Sequence, residues 1–89
     1  MTKIKVKYSK RFLKQYYKLS PKDQQKFEVR LKLWQHDPHH PQLHLHMLSG
    51  DYDGLYSINI TGDIRALYQK IDDTYVIYGF IGTHSQLYG

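Results

Sequence analysis

The sequence of 89 residues contains no cysteine. Disulfide bonds and thiolate metal sites are therefore excluded, and a reducing compartment fits such a chain best. The sequence also has no apolar run near the roughly 20 residues that a membrane-spanning helix requires. Lysines alternate through residues 1–7, which prevents this stretch from serving as a signal-peptide core. We expect a soluble cytoplasmic protein with no membrane partner, folded as a single domain over residues 1–89.

Acidic residues are scarce in the first third of the chain. Residues 1–32 carry nine lysines and two arginines against two acidic residues, a balance of +9. Residues 33–89 carry two cations against six aspartates, a balance of −4. This asymmetry favours a polyanion such as nucleic acid, although a solvated basic helix face with no partner remains the alternative. Nine tyrosines favour RNA, since rings stack on bases while cations pair with phosphates.

The first half of the chain has the pattern of one strand and two helices. Strict alternation with lysine predicts a half-buried strand over residues 3–8. Ser9 is the predicted N-cap of a helix that runs to about Leu19. Ser20, followed by proline, caps a second helix that runs to about His36. The short break between the two amphipathic helices predicts an antiparallel helical hairpin.

The second half has the pattern of a β-meander. Runs rich in β-branched and aromatic residues are separated by turn residues, and we expect extended structure at 43–48, 55–60, 64–71 and 75–81. The last run suits a central strand. The order β-α-α-β-β-β, with a short extended piece before the meander, predicts an α+β fold. Its small antiparallel or mixed sheet has an N-terminal strand and carries the helical hairpin on one face. The remaining residues, 82–89, are either a frayed tail or part of a site.

A histidine cluster raises the question of a metal site. Five of the six histidines lie between His36 and His46. In a strand, His44 and His46 share a face, and Asp37 or His84 is the candidate third ligand for zinc, copper or nickel. The spacing matches no structural zinc pattern, and the histidines surround prolines, where solvated loop residues are common. We therefore expect no metal and no cofactor.

Acid–base chemistry on RNA is the second possibility. RNA carries its own nucleophile, the 2′-hydroxyl, so a protein that cleaves it needs a base, an acid and a cation for the phosphate. His46 and His84 are the candidate base and acid, in either order. Arg65 is the candidate phosphate contact, Asp63 could orient an imidazole, and Tyr88 could stack on a base. Two alternatives remain: Arg65 is an ordinary surface charge on a strand of the sheet, and Asp63 is an ordinary turn residue.

The sequence resembles the RelE/ParE toxin superfamily over nearly its whole length, most closely the YafQ-like branch. The most specific segments are His46-Met47-Leu48-Ser49-Gly50 and Gly82-Thr83-His84-Ser85-Gln86-Leu87-Tyr88. The strand segments at 56–60 and 65–68 add to the resemblance. It implies a RelE-like fold and a toxin of a bacterial type II toxin–antitoxin pair. Such toxins are endoribonucleases that cut messenger RNA on the ribosome without a cofactor, and a cognate antitoxin holds them inactive.

By position, the resemblance implies catalytic roles for His46, Asp63 and His84, and it places Tyr88 near the scissile bond. It also gives the basic helices a contact with ribosomal RNA, made by six residues: Lys10, Arg11, Lys14, Lys18, Lys22 and Lys26.

The sequence departs from the branch at two positions. Asn59 stands where the branch often has a further histidine, and Phe80 stands where it has an arginine. Arg65 resembles an arginine that other RelE-type toxins carry on the neighbouring strand, and we expect it to supply the missing phosphate contact. Two alternatives follow. One is a ParE-like toxin that binds gyrase without catalysis, and the other is a degenerate toxin that binds antitoxin and ribosome only.

Overall fold

The computed structural model describes residues 4–88, so Lys3 of the first predicted strand lies outside the described residues. The described residues form an α+β structure with five strands and three helices. In chain order the elements are β1 (Lys5–Tyr8), α1 (Lys10–Tyr17), α2 (Pro21–His36), β2 (His46–Met47), β3 (Tyr56–Asn59), β4 (Ile64–Asp72), β5 (Tyr75–Thr83) and α3 (His84–Tyr88). The predicted fold class is confirmed. Within residues 4–88, no helix has both the length and the apolar character needed to cross a bilayer.

The five strands form one mixed sheet in the order β1-β5-β4-β3-β2. β1 runs parallel to β5, and the other neighbouring strands are antiparallel. β5 is therefore an interior strand, as predicted, and it connects the N-terminal strand to the meander. The α1–α2 hairpin connects β1 at one edge of the sheet to β2 at the other edge.

Serine caps begin both long helices, as predicted. The Ser9 hydroxyl accepts a hydrogen bond from the Phe12 N–H at 3.0 Å, and the Ser20 hydroxyl accepts one from the Asp23 N–H at 3.2 Å. These bonds satisfy backbone donors that the first turn of a helix leaves unpaired.

Helix α1 is shorter than predicted, because it ends at Tyr17 rather than Leu19. The N–H groups of Lys18 and Leu19 bond to carbonyls three residues back, at 3.2 and 3.0 Å. Hydrogen bonds to the carbonyl three residues back are those of a 3-10 turn, which is tighter than an α-helix. This turn ends α1 before Ser20, the N-cap of α2.

The helical hairpin packs on one face of the sheet and forms the main core. Phe12, Phe27 and Trp34 from the helices are almost fully buried. They meet aromatic and aliphatic side chains of the strands, with the Trp34 and Tyr68 rings 5.1 Å apart. Aromatic contacts at this spacing stabilise the folded protein beyond the contribution of the apolar area that the rings bury.

A β-bulge in β5 changes which of its side chains project from the face of the sheet that the helices leave open. Leu67 pairs with Phe80, but Tyr68 pairs with Tyr78, so Gly79 is the extra residue. Strict alternation would place Phe80 with Tyr78 in the core. The bulge instead places Phe80 on the face that α1 and α2 leave open.

Two predictions about local structure were wrong. The segment 43–48 is not extended throughout, because the strand covers only His46–Met47. His44 adopts a left-handed conformation, with φ of 48°, and its N–H bonds to the Pro41 carbonyl. Residues 84–88 are not a frayed tail but form the short helix α3, which the predicted element order did not contain.

Candidate functional site

A cleft of about 440 Å³ lies on the open face of the sheet, between β2, the β3–β4 strand pair and α3. Four of the five predicted catalytic residues line it. The full lining is His44, His46, Leu48, Ser57, Asn59, Arg65, His84 and Tyr88.

The register of the sheet explains why these residues share one face. His46 lies opposite Ser57 in the β2–β3 pair. Asn59 lies opposite Arg65, and Arg65 lies opposite Gly82, so these three form the next row across the sheet. Residues paired directly across strands project to the same side, so the sheet itself forms the floor of the cleft.

A capping box at the end of β5 builds α3. The Thr83 hydroxyl accepts a hydrogen bond from the Gln86 N–H at 3.1 Å, and the Gln86 side-chain oxygen accepts one from the Thr83 N–H at 2.9 Å. This reciprocal pair is the signature of a Ser/Thr-x-x-Glu/Gln segment. It explains how a helix of only five residues forms directly after a strand.

Gly82 leaves room for that capping box. A Cβ at position 82 would lie 2.9 Å from the Gln86 side-chain oxygen and 3.7 Å from a methyl group of Leu87. The first distance is too short for any real Cβ, whereas the second is ordinary contact. A side chain at position 82 would therefore displace the Gln86 oxygen that holds the Thr83 N–H.

Helix α3 places His84 and Tyr88 side by side above the floor. They are four residues apart, so they share one helix face, and their ring centroids lie 4.7 Å apart. The backbone N–H of His84 donates a hydrogen bond to the Asp63 carbonyl at 3.1 Å. The Tyr52 hydroxyl donates to the Leu87 carbonyl, and Leu87 is buried. The His84 side chain is exposed, and the helix that carries it is held in place by these two hydrogen bonds and by the buried Leu87.

His46 lies across the cleft, on the short strand β2. Its Nδ1 is 3.0 Å from the His44 carbonyl oxygen. Because a carbonyl only accepts hydrogen bonds, Nδ1 donates in this contact, and in the neutral imidazole the lone pair then lies on Nε2. The left-handed turn at His44 creates this geometry, since it points the carbonyl toward the imidazole.

Arg65 is half-buried, and one end of its guanidinium is fixed. One terminal nitrogen donates to the carbonyls of Thr61, Gly62 and Ile64 at 3.1, 3.2 and 3.3 Å. Arg65 therefore fastens the β3–β4 turn and also borders the cleft. Arg65 can therefore serve both as a structural charge of the sheet and as a phosphate contact, the two roles that the sequence left open. The terminal nitrogen Nη1 is used by the turn, and the other edge of the guanidinium is available to a ligand.

Asp63 lies at the rim of the site and does not line the cleft. Among residues 4–88, its carboxylate has no hydrogen bond to an imidazole. Its backbone nevertheless holds α3 through the carbonyl that accepts from His84. The orienting role of the carboxylate stays a prediction.

Ser57 lines the cleft, but its residue type and position were not recognised as part of a site in the sequence. Ser57 alternates with Asn59 along β3, and this period of two would have placed both beside His46. The Ser57 hydroxyl is fully buried and has no partner among the described residues. Tyr52 does not line the cleft but supports α3 through its hydroxyl, and nothing in the sequence around this tyrosine indicated that role.

The predicted basic residues are all exposed. Lys22 and Lys26 border a second cleft of about 600 Å³ beside the Thr61–Gly62 turn. Arg11 instead lies on the open-face side, with its guanidinium carbon 4.8 Å from the Phe80 ring centroid. The remaining three lie on or just after α1: Lys10, Lys14 and Lys18.

The histidines do not assemble a metal site within the described part of the chain. In residues 4–88, no group of three or more histidine, aspartate or glutamate side chains is arranged to hold an ion. His44 and His46 do border the same cleft, although the shared strand that suggested chelation is not formed.

Comparison with known proteins identifies the family. Residues 4–89 match the family model described as the bacterial toxin of type II toxin–antitoxin system, YafQ. The chain belongs to the YafQ toxin family. It is therefore a type II toxin of the RelE/ParE-like superfamily, and the resemblance seen in the sequence is confirmed. No curated protein sequence matches the chain.

Solved structures share the fold of this YafQ-family chain. YafQ from E. coli strain BL21(DE3) has a TM-score of 0.79 at 23% identity, covering 97% of this chain and 99% of that chain. YafQ in the E. coli DinJ–YafQ toxin–antitoxin complex has a TM-score of 0.76 at 24% identity, over 98% and 99% of the two chains. The conserved hypothetical protein HP0894 from Helicobacter pylori is 30% identical with a TM-score of 0.69, over 96% and 99%.

Proposed function

We propose that this toxin is a ribosome-dependent endoribonuclease that cuts messenger RNA by metal-independent acid–base catalysis. One observation carries the proposal: four side chains from three separate segments, His46 of β2, Arg65 of β4 and the α3 pair His84 and Tyr88, line a single cleft. Together they supply two imidazoles, a fixed cation and a stacking ring. These are the groups that attack by the RNA 2′-hydroxyl requires.

The contact of His46 with the His44 carbonyl supports His46 as the base and His84 as the acid. With Nδ1–H donated to the His44 carbonyl, Nε2 of His46 is free to take the proton from the 2′-hydroxyl. The 2′-oxygen then attacks phosphorus, and the bond from phosphorus to the 5′-oxygen breaks. His84 donates the proton that the leaving 5′-oxygen needs. The products are a 2′,3′-cyclic phosphate and a 5′-hydroxyl, so protons and charge balance without a metal.

Arg65 and Tyr88 position the substrate in this mechanism. The free edge of the Arg65 guanidinium contacts the phosphate, whose charge grows in the transition state. Tyr88 stacks on a base beside the scissile bond. Its ring also contacts the His84 imidazole and restricts the orientation of that side chain. The Asp63 carboxylate is the proposed orienting group at the rim.

The proposed partners are an antitoxin, the ribosome and messenger RNA, which makes the cytoplasm the proposed location. An E. coli relative is solved as a DinJ–YafQ toxin–antitoxin complex. On this chain, Leu13 and Tyr17 of α1 are exposed apolar residues, 36% and 72% accessible, beside an apolar cleft of about 250 Å³. Exposed apolar patches favour a protein partner, so we place the antitoxin over this helical surface and over the catalytic cleft. The exposed basic residues contact ribosomal RNA through its phosphates: Lys10, Arg11, Lys14, Lys18, Lys22 and Lys26.

The test is cleavage of messenger RNA on translating ribosomes by purified toxin, with the cut sites mapped. We expect His46→Ala and His84→Ala each to lower the cleavage rate by at least about 100-fold, because general acid–base catalysis contributes about 10²–10⁴. His36→Ala is the matched control, since His36 is exposed at the end of α2 and away from the cleft. Ribosome binding without cleavage would indicate a degenerate toxin. Inhibition of gyrase supercoiling without cleavage would indicate the ParE-like alternative.

A further inference from the structure

The cation–π pair of Arg11 and Phe80 has no role in the proposed catalysis. The guanidinium of Arg11 lies over the Phe80 ring, with 4.8 Å between its carbon and the ring centroid. Among residues 4–88, the Arg11 side chain has no carboxylate partner. A guanidinium that stacks on a ring still has its in-plane N–H donors available for a phosphate.

The backbone fixes the position of this pair. The Ser9 N–H donates to the Tyr78 carbonyl at 2.9 Å, and the Ser9 hydroxyl donates to the Gly79 carbonyl at 3.1 Å. The Gln15 side-chain oxygen accepts from the Ile81 N–H at 2.9 Å. The first turns of α1 are thereby fastened to the β5 bulge, which holds Arg11 above the open face.

A continuous run of rings connects Arg11 to the catalytic cleft. The Phe80 and Tyr52 centroids are 5.1 Å apart, and those of Tyr52 and Tyr88 are 5.5 Å apart. Tyr88 then contacts His84. Each of the two tyrosine contacts is edge-to-face, so the run forms a rigid rim between the cleft and Arg11.

Another cavity, of about 370 Å³, lies at the Arg11 end of this run. Its lining is Ser9, Arg11, Leu55, Gln69, Ile77, Gly79 and Phe80. Arg11 is the one charged residue in that lining. The cavity thus combines one cation, a flat apolar floor and an amide group, which suits a nucleotide of single-stranded RNA.

We propose that this cavity is a second nucleotide subsite, which binds the RNA strand beyond the cleaved bond. Arg11 contacts a phosphate, Leu55 and Ile77 contact the base, and the Gln69 amide bonds to the base edge. The subsite rests on the proposed endoribonuclease function and extends the same groove. It moves Arg11 from the ribosome-binding surface to the substrate-binding surface, where it is a positioning residue and takes no part in proton transfer.

The test measures affinity for a short single-stranded RNA whose 2′-hydroxyls are methylated, so that it cannot be cleaved. We expect Arg11→Gln to weaken binding about tenfold at low salt, which corresponds to one charge-assisted contact. We also expect it to reduce the slope of log affinity against log salt by about 0.7–1. Lys32→Gln is the charge-matched control, because Lys32 is exposed on α2 and lies outside both cavities. It should change affinity by less than about twofold.

A conservative variant separates binding from folding. A merely structural Arg11 would change the melting temperature and leave the salt slope as it is. Arg11→Lys keeps the charge but loses the planar fork, so it should restore the slope and only part of the affinity. If Arg11→Gln and Lys32→Gln have equal effects on affinity and slope, the subsite is wrong. The subsite is also wrong if Arg11→Lys fails to restore the slope.

Ribosome cleavage assays keep the two proposals distinguishable. If the wild-type toxin cleaves messenger RNA while Arg11→Gln matches it in both cleavage and oligonucleotide affinity, only the subsite fails. If the wild-type toxin neither cleaves messenger RNA nor binds the oligonucleotide, the proposed function fails and the subsite fails with it.

Discussion

Gly82→Ala is a small change with a specific predicted consequence for α3. The new Cβ would lie 2.9 Å from the Gln86 side-chain oxygen, so that side chain must move. Its movement breaks the hydrogen bond from the Thr83 N–H, which is one half of the capping box. The other neighbours of the new Cβ are at ordinary contact distances, 3.5 and 3.7 Å, and do not need to move.

The size of the effect follows from the one bond that is lost. An intramolecular hydrogen bond contributes about 0.5–1.5 kcal/mol, and removing a helix N-cap costs about 1 kcal/mol. Replacing glycine with alanine also restricts the unfolded chain, which returns about 0.4–1 kcal/mol. Gly82→Ala alone should therefore lower the free energy of unfolding by up to about 1 kcal/mol. In a Gln86→Ala background there is no side-chain oxygen to displace, so Gly82→Ala should be neutral or stabilising.

A double-mutant cycle measured by urea denaturation tests this reasoning. We expect a coupling energy of about 1 kcal/mol between positions 82 and 86, larger than the few tenths that independent sites show. Gly79→Ala is the comparison variant, because no atom lies within 4 Å of a Cβ built there. Strict additivity of Gly82→Ala and Gln86→Ala would refute the capping-box explanation of the terminal motif.

Three further predictions concern other parts of the molecule. Burial and Glu28 raise the pKa of Tyr8 from 10.0 to about 12, so stability should hold below pH 10 and fall as the pH rises from about 10 to about 12. Tyr8→Phe should flatten that loss in denaturation curves recorded against pH. The double variant Leu13→Ala with Tyr17→Ala should weaken antitoxin binding at least about tenfold in calorimetry and leave cleavage unchanged, since it adds no charge beside the basic residues of α1 and both side chains lie outside the cleft. Tyr52→Phe should cost about 1 kcal/mol in thermal unfolding, because it removes the hydrogen bond to the α3 backbone and keeps the ring.

Much of the fold could be predicted because its signals are local. The serine caps, the lysine alternation of β1 and the turn at residues 61–63 each depend on a few neighbouring residues. The bulge at Gly79 could not be predicted in this way. It depends on α1, whose Ser9 and Gln15 bond to the bulged strand from about 66–70 positions away in sequence. Long-range bonds of this kind leave no periodic pattern in the strand itself.

Four of the five residues predicted as catalytic lie together in the cleft, but the geometry that brings them together was predicted only in part. His46, Arg65, His84 and Tyr88 line one cleft, as the sequence suggested. The helix that carries two of them was missed, although Thr83-His84-Ser85-Gln86 has the spacing of a capping box. The left-handed turn at His44 was missed as well, because histidine in that conformation is uncommon and depends on the preceding proline turn.

The site depends on a helix too short to be stable alone, and this has a consequence for how mutations act. Isolated helices below about 12–15 residues are marginal in water, so α3 persists because of its tethers. The tethers are the capping box, the bond from His84 to the Asp63 carbonyl, the Tyr52 hydroxyl and the burial of Leu87. Loss of one tether worth about 1.4 kcal/mol changes the ratio of docked to frayed α3 about tenfold. Activity stays near its full value while the docked form still predominates. We therefore expect Gly82→Ala and Tyr52→Phe to lower stability separately, and to lower messenger RNA cleavage markedly only when they are combined.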